Sequence, residues 1–180
     1  MEIGSTPGVR KPHRDRGFTL VEVLVVLTIV PLVLGIAFSA VSVALRSYRL
    51  VEARADLCSA GTLVMETLGQ DIRGVRRIYE DSSEARFHGL VQDNMTDVSY
   101  EFVPSEGSLP GTLRRNGKDL FGPDTSVTSC EFTYLAPGPD PDAPLEEVAP
   151  QNASSVKVRL TIANKSTSMT YESIFDARNL

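Results

Sequence analysis

From Val23 to Leu45 no residue carries a charge. These 23 positions would extend roughly 35 Å as an α-helix, enough to span the hydrocarbon core of a bilayer. The apolar stretch starts abruptly after Arg16-Gly17, and one carboxylate, Glu22, sits a few residues inside it. A secretory signal fits poorly, because its apolar region is shorter and its small residues follow that region. Here Gly17 comes first. Arg46 and Arg49 close the segment, but a helical pattern continues. Leu50, Leu57, Val64, Leu68, Ile72, Val75 and Tyr79 recur at spacings that put them on one stripe, with charged residues between them. One helix is therefore predicted from about 18 to about 79. Gly61, Gly69 and Gly74 lie within it. Each weakens a helix by up to ~1 kcal/mol, which points to close packing against a sheet or to a bend.

Beyond residue 84 the period changes from helical to alternating. Val98, Tyr100 and Phe102 alternate, as do Thr128, Cys130, Phe132 and Tyr134, and then Val156, Val158, Leu160 and Ile162. Leu113 to Leu120 encloses Asn116-Gly117, the strongest short hairpin signal. Met169, Tyr171 and Phe175 predict a last strand after a turn near 164–166. The expected fold class is α+β. A long N-terminal helix, half transmembrane and half amphipathic, covers a mainly antiparallel sheet of five or six strands. The segments are then 1–17 ahead of the helix, 18–45 in the membrane, 46–80 as the amphipathic half and 81–180 as a β-rich domain.

Between 136 and 155 the alternation fails. Pro137, Pro139, Pro141, Pro144 and Pro150 make this an irregular loop, of the length that is often functional or disordered. Asp140 and Asp142 give it acidic oxygens of the kind that bind Ca²⁺, but the proline density opposes tight wrapping. A solvated acidic loop is the favoured reading, with no cofactor.

Charge sharpens the membrane assignment. The net charge is −5. Residues 1–17 hold four basic and two acidic side chains, net +2, which leaves −7 for the rest. An acidic body argues against a nucleic-acid surface. A basic head before an apolar run places that head on the cytoplasmic side. The domain beyond would lie outside the cytoplasm, where a Cys58–Cys130 disulfide is permitted. Two small buried apolar residues are the alternative.

Glu22 needs a partner, since ionised groups inside a membrane are costly and usually pair or serve a function. A cut between Gly17 and Phe18 would create an α-amino group four residues before it. That amine could pair with Glu22 in its own chain or in a neighbour shifted along the axis. In the second case the pair forms only when subunits stack in register.

Gly17-Phe18-Thr19-Leu20-Val21-Glu22, after a short basic leader and before a long apolar helix, resembles the processing site of the type IV pilin and pseudopilin superfamily. The resemblance covers roughly residues 10–50. It implies a pilin-like fold, cleavage after Gly17 by a membrane prepilin peptidase and N-methylation of Phe18 by the same enzyme. It also implies pairing of Glu22 with the terminal amine of an adjacent subunit. The leader arginines would be read by that peptidase or would simply hold the head inside. Pro31 removes one backbone bond and Gly35 weakens the turn. In this superfamily the helix often loses helicity locally in the filament, but the usual proline lies further from the cut. A simple kink, with Thr28 satisfying the freed groups, is the slightly favoured alternative.

Enzyme chemistry finds little support. His88 is the one histidine outside the leader, and it reads as a surface histidine at a strand edge. There is no nucleophile elbow, P-loop, dinucleotide glycine pattern or zinc helix motif. Layout alone resembles W-type minor pilins of type IV pili and J-type minor pseudopilins of type II secretion. The implied partners are the prepilin peptidase, other minor and major subunits, an inner-membrane assembly platform and lipid. A single-pass anchored periplasmic binding domain that never polymerises is the reading from another class. Such a domain has no use for Glu22 or for Gly17-Phe18.

Overall fold

The computed structural model describes residues 18–91, 96–107, 109–138 and 144–177. Two compact units divide the chain after Arg46. The first consists, among its described residues, of the N-terminal part of helix α1, which spans Leu20–Arg73. The second carries the remainder of that helix and all nine strands described.

The class is α+β, as the patterning requires, but the strands form two antiparallel sheets rather than one. The first sheet has the order β1-β2-β3-β4-β5. Its strands are Val75–Ile78, Arg86–Val91, Thr96–Val103, Thr112–Arg115 and Lys118–Asp119. The second has the order β7-β6-β8-β9, built from Ser126–Ala136 (β6), Glu146–Glu147 (β7), Ser155–Ala163 (β8) and Ser168–Asp176 (β9). The predicted irregular loop thus holds a short strand, β7, and a 3-10 turn at Pro150–Asn152. Backbone bonds stitch the sheets together: Val127 N–H donates to Gly111 O and Phe132 N–H to Glu84 O, each at 2.8 Å.

The helix stops at Arg73, not near 79. Gly74 N–H closes onto the carbonyls of Gln70 and Asp71 at 3.1 Å, and the chain turns directly into β1. Val75 and Ile78 are buried and Arg76 and Arg77 exposed. A bulged strand of four residues with this pattern cannot be told from a helical turn by spacing alone, so Val75 belongs to β1 and Tyr79 to the residues after it, not to the helix. Leu50 is exposed rather than part of the buried stripe. The buried helical residues are Leu57, Gly61, Val64, Met65, Leu68, Gly69 and Ile72.

These residues share one core with inward side chains of both sheets, including Phe87, Tyr100, Leu113, Phe132 and Leu160. The ring of Phe87 sits 6.1 Å from Phe132 and 6.4 Å from Tyr100, spacings suited to tilted aromatic contact. Val156, Val158, Leu160 and Ile162 are fully buried along β8. In β6 a bulge between Val127 and Ser129 shifts the phase. Val127 therefore faces inward with Cys130, and Thr128 is exposed. Asn116 and Gly117 both take positive φ, 51° and 78°, and join β4 to β5 in a two-residue hairpin, as their sequence predicts. Two of the three helical glycines explain themselves here. Gly61 receives the Tyr171 ring and Gly69 the Phe175 ring, both from β9.

Candidate assembly site at the helix N-terminus

Phe18 and Thr19 precede the first helical residue, Leu20. Thr19 is the N-cap. Its carbonyl accepts from Val23 N–H at 3.2 Å, and its Oγ1 accepts from Glu22 N–H at 3.3 Å. A threonine followed three residues later by glutamate is the capping-box pattern. The signal is legible in Thr19-Leu20-Val21-Glu22, although the apolar run alone does not point to it. Glu22 therefore has a local role: its carboxylate lies in the first turn, where the helix dipole favours negative charge by about 0.3–1 kcal/mol. An amine placed on Phe18 would meet the same dipole unfavourably, and a carboxylate one turn away would offset that.

The surrounding surface is apolar and bare. Phe18 is 79% exposed, and every described residue from there to Arg46 other than Ser42 is exposed. The helix is long and apolar enough to cross a membrane. It is continuous through Pro31 and Gly35. Thr28 Oγ1 donates to the Val25 carbonyl at 2.8 Å. The carbonyl that Pro31 deprives of its donor belongs to Leu27, so Thr28 does not satisfy it. Ser39 and Ser42 donate similarly to Gly35 O and Phe38 O. These bonds keep hydroxyls satisfied within one helix, as a lipid setting demands.

Residues 12–38 match the family model described as the prokaryotic N-terminal methylation motif. The chain carries a prepilin-type N-terminus. This supports a place in the type IV pilin and pseudopilin superfamily, whose members are structural subunits, and with the apolar helix it supports membrane anchoring. No curated protein and no solved structure matches the chain.

The other predicted positions separate. Gly17 and the leader, and Asp140 and Asp142 of the Pro-rich loop, lie outside the described residues. Both cysteines are free thiols: Cys58 is exposed on α1, and Cys130 is buried in β6. The disulfide permitted by the sequence is not formed. Leu57 turns into the core, and the next helical residue is rotated about 100° away from it. Burial pushes the Cys130 thiol up to about 12. His88 is not at an edge. It lies on interior strand β2 opposite Ser99 of β3, its Nδ1 is 2.9 Å from Asp81 Oδ1, and its ring is 4.5 Å from that of Tyr79. Among the described residues, no nucleophilic side chain hydrogen-bonds its ring.

Proposed function

We propose that this chain is a minor pilin or pseudopilin, a structural subunit that helps initiate or build a type IV pilus-like filament after prepilin peptidase processing. One observation carries the reading: Glu22 is the single charge between Phe18 and Leu45, and it sits one turn from the amine that cleavage after Gly17 would create. A membrane anchor alone has no need of that pair. The basic leader supports a cytoplasmic N-terminus, with the β-rich unit then on the far side of the inner membrane. N-methylated Phe18 would start the mature chain. Glu22 would take the amine of a neighbouring subunit, and the assembly platform would lift the helix from lipid. Pro31 and Gly35 are where helicity would yield on packing. No catalytic role is assigned to any residue. A J-type pseudopilin of type II secretion shares all these features.

The test is the intact mass and N-terminal sequence of the protein from its native membrane, with and without the prepilin peptidase. A chain starting at methylated Phe18 only when the enzyme is present is the expected result. A chain that keeps its leader in both cells overturns the reading and leaves an anchored periplasmic domain.

A further inference from the structure

The second sheet ends on an unprotected strand. Among the described residues, β9 pairs with β8 alone. Asn164 N–H bonds Thr167 O at one end of this hairpin, and Ala177 N–H bonds Ser154 O at the other. Hydrogen-bonded positions alternate between those two. Ser168, Thr170, Glu172, Ile174 and Asp176 therefore direct their N–H and C=O groups away from β8, and none bonds another described backbone group on that side. An edge of nine residues is a ready template for another strand unless charge, proline or a bulge guards it. β9 has no proline, and its central charge, Glu172, is held by Lys157 at 2.7 Å and Arg159 at 2.9 Å. Ile174 is 49% exposed. By contrast the outer edge of the first sheet, β1, has four residues and two exposed arginines.

A groove of about 410 Å³ runs between β9 and α1, lined by Met65, Tyr171 and Phe175 and by two charged residues of α1, Glu66 and Arg73, the latter with its guanidinium 5.4 Å from the centre of the Phe175 ring. Glu66 is exposed and makes no ion pair among the described residues. An added strand would keep main-chain bonds along the edge and could send alternate side chains toward this groove. Arg73 already stacks on the Phe175 ring, so the Glu66 carboxylate is the charge left to favour a basic residue in that strand.

A second copy fits poorly. β9 runs in the same direction as α1: Asn164 bonds the Ala53 carbonyl, Tyr171 bonds that of Leu57, and Phe175 meets Gly69. Antiparallel self-pairing of β9 would reverse the helix with the strand. The two Ser47 ends would then point in opposite directions, while both chains must continue into one membrane.

We propose that the open edge of β9, with its adjoining groove, receives an extended segment of a different filament subunit, apolar at alternate positions and carrying a basic residue opposite Glu66. This rests on the filament reading above. The experiment places a photo-crosslinking amino acid at Ile174 of the full-length chain in its native cells and maps the products by mass spectrometry. The N-terminus is sequenced from the same sample. Crosslinking to an alternating segment of another prepilin-type subunit is expected. It should fall roughly tenfold in Thr170→Pro, which removes one outward N–H and leaves the β8 ladder intact. Thermal melting checks that this variant folds, and Thr170→Lys, a charged guard on the same edge, is the second variant. Crosslinks only to a second copy, or none to any subunit although the chain is cut and assembled, overturn this inference alone. A chain not cut after Gly17 overturns the filament reading and this inference together.

Discussion

Asp71, in the last turn of α1, grips Arg115 at the end of β4 with two hydrogen bonds, Oδ2 to Nε at 2.8 Å and Oδ1 to Nη2 at 3.0 Å. The Tyr100 hydroxyl donates to the same carboxylate at 2.5 Å. The Asp71 side chain is only 15% exposed. Burial, and then this bond, raise the Tyr100 hydroxyl well above its ordinary range. Asp71→Ala leaves a guanidinium and a buried phenol without their acceptor. A loss of about 2–3 kcal/mol is expected in denaturant melts of the full chain in detergent. Arg115→Lys, with Asp71 kept, is expected to cost a smaller part of the same stability, because an ammonium cannot reproduce the two-pronged contact.

The helical glycines should respond in graded order. A Cβ at Gly69 would lie 2.5 Å from Phe175 Cε1, and that ring is buried. Overpacking there outweighs the ~1 kcal/mol gain in helix propensity, so Gly69→Ala is expected to destabilise by about 1–2 kcal/mol. At Gly61 the obstructing ring is the half-buried Tyr171, which can swing outward, so the loss is smaller. Gly35→Ala meets nothing within 4 Å and strengthens the helix. Thermal melts and helical circular dichroism of the three variants check the order.

Thiol labelling reports on the cysteines. In the folded protein a maleimide should modify Cys58 alone. Cys130 reacts only after denaturation, because it is both buried and protonated. Protection of both thiols until a reductant is added would mean a bridge and a rearranged helix.

Acid should weaken one surface contact in a defined direction. The hydrogen bond from His88, aided by Arg86 at 3.6 Å, holds the Asp81 carboxyl below the usual carboxylate range. Its contribution is therefore complete above the unfolded value near about 4 and is lost as pH falls through the lower folded value. The stability difference between wild type and Asp81→Asn is expected to shrink as pH falls below about 4. Melts at a series of pH values measure it.

At the N-terminus, Glu22→Ala is expected to leave membrane insertion and cleavage intact and to impair assembly, read by sheared-filament immunoblots. Thr19→Ala removes the cap at a cost of about 1 kcal/mol to the first turn. It should disturb assembly less, because the carboxylate remains.

Much of this molecule was written in local pattern. An uncharged run of membrane length, a glycine-aromatic junction and a lone glutamate specify the N-terminal segment without reference to any other part of the chain. Asn116-Gly117 specifies its turn because two successive positive φ angles suit few other residues. Other features depended on distant partners. Whether 75–78 continued the helix turned on pairing with β2, since four residues satisfy both periods. The bulge in β6 changed which residues faced inward, and the division into two sheets arose from which edges could find neighbours. Gly61 and Gly69 acquired their meaning only when β9, more than a hundred residues later, laid Tyr171 and Phe175 against the helix. Periodicity declares which side chains avoid water. Only the tertiary structure decides what they pack against, because that choice rests on contacts between segments far apart in the chain.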